Sequence, residues 1–478
     1  MPTRQNLGST EVEEAEPDGS LLLFRKSETN LRKGRLSMSR KRTLILGAAG
    51  RDFHNFNTLY RTDDSYEVVA FTATQIPDID GRKYPAELAG EFYPEGIKIL
   101  DESELENIIS GENIELCVMS YSDLPDSKVM QLASRVNAAG ADFVMIGAQR
   151  TMIKSTKPVI AITAVRTGCG KSQTTRRVIE ELKAAGKKVV AIRHPMPYGD
   201  LVKQRVQRFE TIEDLKKHEC TIEEMEEYEP HISRGNIIYS GVDYEAILRE
   251  AEKEADIILW DGGNNDTSFY APDLTITVVD PHRPGHEVSY YPGQINLRLA
   301  DVVVINKIDS AYPEDVEEVR KNIRRVNPTA RIIDGASPVS VDKPELVNGK
   351  TVLVVEDGPT LTHGEMEYGA GYVAAEKYGA AEFANPVPFA VGTIKFTFDK
   401  YYPGVEETAI LPAMGYGDAQ IKDLEDTINA IDCDAVVIGT PIDLSRIIKI
   451  NKPTVKVTYD LQEIGKPDLG EVLKPFTV

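Results

Sequence analysis

Short apolar runs alternate with charged, amphipathic segments along most of the chain. In the first third, each apolar run ends at a glycine or polar turn and is followed by a segment with helical spacing, which is typical of buried parallel strands joined by helices. These runs lie at 43–46, 67–72, 116–120 and 143–147. The alternation predicts an α/β fold that begins with a parallel, doubly wound sheet.

Two further series of apolar runs follow. One begins with the run 158–164 and continues to 331–334; the other includes 351–358, 392–398, 409–411, 434–440 and 453–458. We read 392–398 as a strand because its apolar residues alternate. The highly charged segment 202–229 is predicted to be helical, and its acidic run Glu223–Glu229 favours a solvated helix face over a metal site.

The run 158–164 leads into a phosphate-binding loop, Val165-Arg166-Thr167-Gly168-Cys169-Gly170-Lys171-Ser172, and a helix follows to about Ala185. Backbone N–H groups at a helix N-terminus cradle phosphates, Lys171 reaches the β- and γ-phosphates, and Ser172 holds Mg²⁺. Val165 replaces the first glycine of the common pattern. Arg166 instead occupies the position where a dimeric class of these NTPases has a second, "signature" lysine. The predicted nucleotide contacts of this loop are Gly168, Cys169, Gly170, Lys171, Ser172 and Gln173.

Two later strand ends complete the predicted nucleotide site. Asp261 follows the apolar run 257–260 and precedes two glycines, which indicates a Walker B carboxylate that shares Mg²⁺ with Ser172. Asn306-Lys307-Ile308-Asp309 follows the run 301–305 and resembles the base-reading motif of many GTPases. Dimeric relatives also use this position for adenine, so the motif leaves the base open. Ser337 lies in the loop that forms a second base contact.

These patterns predict three domains after an N-terminal extension. Residues 38–153 form a Rossmann-like substrate domain, 154–340 a central P-loop NTPase domain, and 341–478 a smaller C-terminal α/β region. We expect residues 1–37, which are polar, to be poorly ordered.

Composition excludes several classes of function. A net charge of −21 argues against a nucleic-acid partner. The four cysteines have no paired spacing, so neither a zinc site nor a disulfide framework is expected. No apolar run reaches the roughly 20 residues that span a bilayer. We therefore predict a cytoplasmic protein without a membrane partner.

Six of the seven histidines lie in loops after strands or before glycine and proline turns. Arg51, Arg193 and Arg283 are close to three of them in sequence, which predicts pockets for anions near the nucleotide. The spacing of His282 and His286 would suit a metal on a helix, but Pro281 and Pro284 favour a loop. The candidate catalytic residues are Lys171, Arg166, Asp261, His282 and Arg283; the candidate substrate-binding residues are Arg51, His54, His194, His286 and His363.

Several of these stretches together resemble the cyclic 2,3-diphosphoglycerate synthetases. They are the 47–57 turn, the 166–172 loop, Asp261-Gly262-Gly263-Asn264, Asp280-Pro281-His282-Arg283-Pro284-Gly285-His286 and Thr362-His363-Gly364, and the resemblance covers the chain from about Met38. It implies a dimeric, ATP- and Mg²⁺-dependent ligase that closes a phosphoanhydride in 2,3-diphosphoglycerate, an anionic phosphorylated substrate, and releases ADP and phosphate. The γ-phosphoryl group would pass to one substrate phosphate. The other substrate phosphate would then attack this activated phosphate, and orthophosphate would leave.

Two other functions stay open from the sequence. The GTPase-like motif at Asn306 departs from the resemblance and allows a GTP-binding switch or metallochaperone. The same NTPase core also allows a kinase that acts on another phosphorylated small acid.

Overall fold

The computed structural model describes residues 40–74, 81–194, 199–263, 265–358, 361, 366–413 and 418–478. The chain divides into two compact units, Met1–Arg40 and Lys41–Val478, and everything below concerns the second. The predicted extension 1–37 and the candidate residue His363 lie outside the described residues. Among the helices of the described ranges, none is long and apolar enough to cross a membrane.

The first sheet is parallel except at one edge, as the apolar runs predict. Its strand order is β3-β4-β2-β1-β5-β7, and only β3 runs antiparallel to its neighbour. Its strands are β1 (Lys41–Leu46), β2 (Tyr66–Ala73), β3 (Lys83–Tyr84), β4 (Ile97–Asp101), β5 (Leu116–Met119) and β7 (Asp142–Met145); β6 (Leu124–Pro125) lies outside it. The helices are α1 (Arg51–Asn55), extended by a π-helical turn at Phe56–Tyr60, α2 (Ala86–Ala89), α3 (Leu105–Gly111) and α4 (Asp126–Ala138).

Both faces of this sheet are buried, which explains why its strands are apolar without alternation. Ile45 belongs to a core cluster on one face together with Phe53 of α1. Leu44 and Leu46 point to the other face, where they belong to a second cluster with Leu132 and Val136 of α4.

The central sheet has nine strands in the order β10-β11-β9-β12-β8-β13-β15-β16-β23, and only the two edge strands are antiparallel. Its strands from this part of the chain are β8 (Val159–Ala164), β9 (Val189–Ile192), β10 (Gln207–Phe209), β11 (Ile237–Ser240), β12 (Ile257–Trp260), β13 (Leu274–Val279), β15 (Val302–Ile305) and β16 (Arg331–Ala336); β14 (Tyr290–Tyr291) lies outside it. The helices are α5 (Lys171–Ala184), α6 (Ile212–Lys217), α7 (Ile222–Ile232), α8 (Tyr244–Ala251), α9 (Gly293–Leu299) and α10 (Pro313–Val326).

A third sheet, of six strands, is centred on β18 and has β17 as its antiparallel edge. The remaining strands are β17 (Val339–Val341), β18 (Thr351–Asp357), β19 (Glu382–Phe383), β20 (Ile410–Ala413), β21 (Ala435–Ile438), β22 (Thr454–Tyr459) and β23 (Gln462–Ile464). The helices are α11 (Ala370–Lys377), α12 (Gly392–Tyr401), α13 (Asp418–Ala430) and α14 (Leu469–Thr477). Short 3₁₀ turns occur at Glu102–Glu104, Ala148–Thr151, His286–Val288, Pro344–Leu346, Val387–Phe389 and Leu444–Arg446.

Strand pairing and helix packing connect the three sheets. β6 of the first part pairs with β14 of the central part. The C-terminal end of the chain returns to the central sheet, where β23 pairs with β16 and α14 packs against α5. Leu473 of α14 therefore shares a core cluster with Leu182 of α5.

The α/β class with largely parallel sheets is confirmed, but two local interpretations are wrong. Residues 392–398, read as a strand, form helix α12. In this helix Ile394, Thr397 and Phe398 are buried and Phe396 is exposed, which is helical spacing although the sequence alternates. The segment 202–229 is not one helix, because it contains β10, α6 and part of α7.

Replacement of Phe398 by alanine should lower the free energy of unfolding by about 3–5 kcal/mol, because a buried aromatic side chain leaves a cavity. The same change at Phe396, which is 64% exposed, should cost less than about 0.5 kcal/mol. Urea unfolding of both variants measures the difference. Equal losses would contradict the helical assignment of this segment.

Candidate active site

The phosphate-binding loop joins β8 to α5 and opens on a cavity of about 920 Å³. All six residues of β8 are buried, so the strand end that carries the loop is fixed by the core. Gly168 and Gly170 have φ values of 81° and 99°, a left-handed conformation that favours glycine. A Cβ atom on Gly170 would also collide with the amide of Asn306. The chain therefore needs these two glycines to place the first turn of α5 at the cavity.

Lys171 is turned towards the end of β12, the strand that pairs with β8 in the sheet. Its Nζ donates to the carbonyl oxygen of Asp261 and lies 3.2 Å from the Asp261 Oδ1 atom. Burial, reinforced by the nearby charge of Arg193, lowers the pKa of Lys171 to about 7. The predicted phosphate-binding lysine therefore lies in the cavity wall, where it is paired with Asp261, the predicted Walker B carboxylate.

Asp261 is fully buried and receives four side chains from three elements. Arg193 NH1 donates to Oδ2 over 2.6 Å, His231 Nε2 lies 3.0 Å from the same oxygen, and Thr175 donates to Oδ1. Burial raises the pKa of Asp261, but the charges of Arg193 and Lys171 outweigh it and hold the pKa well below its usual range. The carboxylate is therefore ionised and ties α5, α7 and the end of β9 together.

The two predicted Mg²⁺ ligands face a common cation. Arg193 NH1 lies 2.6 Å from Asp261 Oδ2 and 3.4 Å from the Ser172 hydroxyl. A hydroxyl and a carboxylate are hard oxygen ligands, so Ser172 and Asp261 are the residues that would hold Mg²⁺, and Arg193 now contacts both of them. The residues present therefore fit Mg²⁺, provided that Arg193 moves aside. Within the described ranges, no group of three or more His, Cys, Asp and Glu residues could hold a metal on its own.

The predicted base-binding residues meet at the other end of the loop. Asn306 Nδ2 donates to the carbonyl of Cys169 over 2.9 Å, and Lys307 Nζ donates to the carbonyl of Gly168 over 2.7 Å. Asp309 accepts the backbone N–H of Ser337 over 2.8 Å and lines the cavity with it. Gln173 joins this group because its Oε1 atom accepts from the Ser337 hydroxyl. Cys169 and Asn306 are buried and hold the loop, whereas Asp309 and Ser337 line the cavity.

The Asp280–His286 loop packs against the phosphate-binding loop and donates a hydrogen bond to it. Arg283 donates to the carbonyl of Thr167 over 2.8 Å and to Asp280 over 3.1 Å. Burial raises the pKa of Asp280, but Lys307 and Arg283 more than offset it and keep the carboxylate ionised. His282 contacts the Ser310 hydroxyl at 2.9 Å. Arg283 thus supports the loop as well as lining the cavity.

Arg166, at the signature position, is 1% exposed and is held inside its own chain. Its Nε atom donates to Asp123 over 2.6 Å, its NH1 atom lies 2.7 Å from His286 Nδ1, and its guanidinium stacks on the Tyr290 ring. Asp123 also accepts the N–H of Thr167 and has a left-handed backbone, with φ 58°. A residue of the first part of the chain therefore fixes the start of the loop, and a reach to another subunit would require Arg166 to leave this position.

The candidate substrate residues do not all meet at the cavity. His194 and His286 line it. Arg51 pairs with Asp266 at 2.9 Å, and His54 stacks on Phe269 with 4.0 Å between the ring centroids. Burial lowers the pKa of His54 to about 3, so this ring is neutral and offers no charge to an anion. These two residues join the first part of the chain to the loop that follows Asp261.

In the first and third sheets, backbone N–H groups at the N-terminus of a helix donate to a carboxylate of the chain itself. Asp52 accepts the N–H groups of Ala49 and Gly50 at 2.8 and 2.9 Å, and burial raises its pKa to about 6. Glu356 at the end of β18 accepts the N–H of Tyr372 in the first turn of α11 at 2.7 Å. A phosphate would have to displace these carboxylates, so the glycine turn at 47–50 does not act as a dinucleotide site in this arrangement.

Sequence reasoning missed several residues that line the cavity. Glu224, Glu226 and Glu227 of α7 do so, although their acidic run was read as solvated; Glu224 and Glu226 are buried. His231 was not linked with Asp261, because nothing in the sequence indicates which side of α7 faces the sheet. Arg193 was expected near an anion pocket but was not linked with Asp261, although it follows β9 directly, at the edge where parallel strands present ligand-binding residues.

Comparison with known proteins adds a family and a related domain. The chain is 65% identical over 437 residues to the arginine synthetase ArcE of Thermococcus kodakarensis, which covers 91% of this chain and 97% of that protein. It is 29% identical over 114 residues to a cyclic 2,3-diphosphoglycerate synthetase of Thermococcus sibiricus, or 23% of this chain and 26% of that protein. Residues 251–334 match the nucleotide-binding domain of the CobW/HypB/UreG family.

Similarity to solved structures is weaker. An ATP complex of LpxK from Aquifex aeolicus aligns with 73% of this chain and 96% of its own, at a TM-score of 0.40 and 12% identity. The resemblance to the cyclic 2,3-diphosphoglycerate synthetases is thus partial, since it holds over a minor part of the chain. The comparisons support a nucleotide-binding P-loop protein of the synthetase or ligase type.

Removal of the Lys171 side chain by alanine should weaken ATP binding about ten- to hundredfold, because a charged hydrogen bond to phosphate is lost. Lys183 lies near the end of the same helix and bonds the carbonyl of Gly235, so Lys183→Ala is the matched control and should bind normally. Isothermal titration with ATP measures both affinities. Unchanged affinity of the Lys171 variant would refute the loop assignment.

The stability of the protein should carry a pH dependence that originates at Glu356. Burial raises the pKa of this carboxyl from 4.5 to about 7, so the folded state binds a proton that the unfolded state releases between these values. Stability contributed by the protonated group is therefore lost as the pH rises through this window, by on the order of 3 kcal/mol. Denaturant unfolding at several pH values should show a flatter profile for Glu356→Gln. Identical profiles would contradict the assignment.

Proposed function

Since the chain belongs to the family of the arginine synthetase ArcE, we propose that it is an ATP-dependent synthetase whose product is arginine, with release of ADP and phosphate. One observation carries this proposal: a single cavity has the phosphate-binding loop on one wall and the glutamates of α7 on another. An acceptor with a positive charge suits such a wall, because opposite charges attract strongly in a partly buried site.

The charges around the loop support an amino acid over a polyanion. Most cations that line the cavity are already paired with buried carboxylates of the chain. The pairs are Arg166–Asp123, Arg193–Asp261, Arg283–Asp280 and Lys307–Asp280. A substrate with two phosphates would have to compete for these cations and would also meet Glu226 and Glu227.

The site supplies the parts of a two-step synthetase reaction. Lys171 moves from Asp261 to the β- and γ-phosphates when the nucleotide enters, and the N–H groups of the loop orient the phosphates. Ser172 and Asp261 would hold Mg²⁺, which would neutralise part of the phosphate charge. The bond between the γ-phosphorus and the bridging oxygen breaks, and an oxygen of the acceptor takes the phosphoryl group. A nitrogen nucleophile then attacks the carbon that carries this oxygen, the carbon–oxygen bond breaks, orthophosphate leaves and the nitrogen releases a proton.

We propose ATP as the nucleotide, with Asp309 and Ser337 at the base. The Asp309 carboxylate can accept from the amino group of adenine, and equally from the N–H groups of guanine, so GTP is the alternative that the base site allows. The matched CobW/HypB/UreG domain is described only as nucleotide-binding, so it does not choose between ATP and GTP. A GTP-binding switch is therefore the alternative function.

Formation of cyclic 2,3-diphosphoglycerate is the second candidate. Arg166, Arg283 and His286 stand together beside the loop, and this cationic side of the cavity favours a phosphorylated acid. If the protein has this second function, we propose that it is a homodimer, as Arg166 at the signature position implies.

The purified protein should incorporate radiolabelled phosphate into ATP when ADP, Mg²⁺ and L-arginine are present, because a synthetase reaction can be followed in reverse. Lys171→Ala is the inactive control. In parallel, phosphorus NMR with ATP and 2,3-diphosphoglycerate reports any cyclic product. A cyclic product without arginine-dependent incorporation would overturn the proposal in favour of the second candidate. Stabilisation by GTP alone, with neither reaction, would favour the switch.

A further inference from the structure

Tyr459 marks a corner of the cavity where charges of both signs converge. It ends β22 and lines the cavity next to α5. Burial raises the pKa of its hydroxyl to about 12; Arg176 opposes this rise, while Asp357, Glu356 and Glu226 add to it. Arg176 of α5, Glu226 of α7 and Asp357 of β18 line the same cavity as Tyr459.

Arg176 has an unused hydrogen-bond donor in this corner. The residue is 7% exposed, and its NH2 atom donates to the carbonyl of Tyr459 over 3.3 Å and lies 3.6 Å from Asp460 Oδ1. Its Nε atom is buried and has no hydrogen-bond partner among the residues that the structure describes. A buried N–H group without an acceptor is costly, so a ligand oxygen at this place would be stabilising.

Glu226 and Asp357 provide the opposite charge. Both line the same cavity, Glu226 from α7 and Asp357 from the end of β18. Glu226 is 8% exposed, so its carboxylate faces a largely dry environment in which a positive ligand group is strongly attracted.

We propose that this corner binds an α-amino acid head group, with the α-carboxylate on Arg176 and the α-ammonium between Glu226 and Asp357. The inference rests on the proposed function and extends it, because it assigns residues to the amino acid. The reacting end then points along α5 to Lys171. Five residues of a helix cover about 7.5 Å, a span that a long amino-acid side chain bridges. Diphosphoglycerate has no ammonium group and would be repelled by the two carboxylates.

The test combines changes in the protein with changes in the ligand. Binding of three ligands is measured by calorimetry in the presence of ADP: L-arginine, agmatine, which lacks the carboxylate, and argininic acid, in which a hydroxyl replaces the ammonium. Arg176→Gln should weaken L-arginine binding about ten- to hundredfold and leave agmatine unaffected. Glu226→Gln should weaken L-arginine similarly and leave argininic acid unaffected.

Two neighbours serve as matched controls. Arg177, the next residue on α5, pairs with Glu181 and Glu463, and Glu229 on α7 pairs with Arg446 at 2.9 Å. Neither lines the cavity, so Arg177→Gln and Glu229→Gln should bind L-arginine like the unchanged protein. ADP affinity of every variant, measured alone, shows that the fold and the loop are intact.

The outcomes distinguish failure of the proposed function from failure of the head-group site. If the unchanged protein binds ADP but none of the three ligands, the proposed function fails and this inference fails with it. If the unchanged protein binds L-arginine and the Arg176 and Glu226 variants bind it equally well, only the head-group assignment is overturned. An equal loss of all three ligands in these variants would also overturn it, because it would indicate a structural role.

Discussion

The buried carboxylate of Asp261 holds the active-site region together. It accepts from Lys171 and Thr175 of α5, from Arg193 after β9 and from His231 of α7, so four side chains depend on one negative charge. An ionised group in such surroundings is stable only because these partners replace the water that it has lost. Removal of the carboxylate would leave the buried cations of Lys171 and Arg193 without compensation.

This network has a consequence for function. Lys171 and Arg193 occupy positions that a nucleotide and its metal would claim, so ligand binding must redistribute the charges rather than simply fill a space. Arg193 also contacts Glu227 of α7, which gives its guanidinium a second carboxylate partner when it leaves Asp261. The binding of nucleotide is thereby linked physically to the acidic wall where we place the amino acid.

The fold class and the elements of the phosphate-binding loop were predictable because their signals are local. An apolar strand, two glycines and Lys171 at a helix start require no knowledge of distant residues. The alternating residues around Phe396 misled, because helix α12 is short and only its packing reveals the buried side. The acidic run of α7 misled for a similar reason: carboxylates are usually solvated, whereas here they line a cavity that many separate segments of the chain form together. Contacts such as Arg166 with Asp123 join distant parts of the chain, and no spacing rule gives them.

We place the nucleotide and the amino acid together in the cavity between α5 and α7. A crystal structure of the protein with ADP and L-arginine should show the phosphates at Lys171, with its Nζ withdrawn from Asp261. The arginine carboxylate should lie within hydrogen-bond distance of Arg176. Density for arginine outside this cavity, or Lys171 still bound to Asp261 with ADP present, would contradict it.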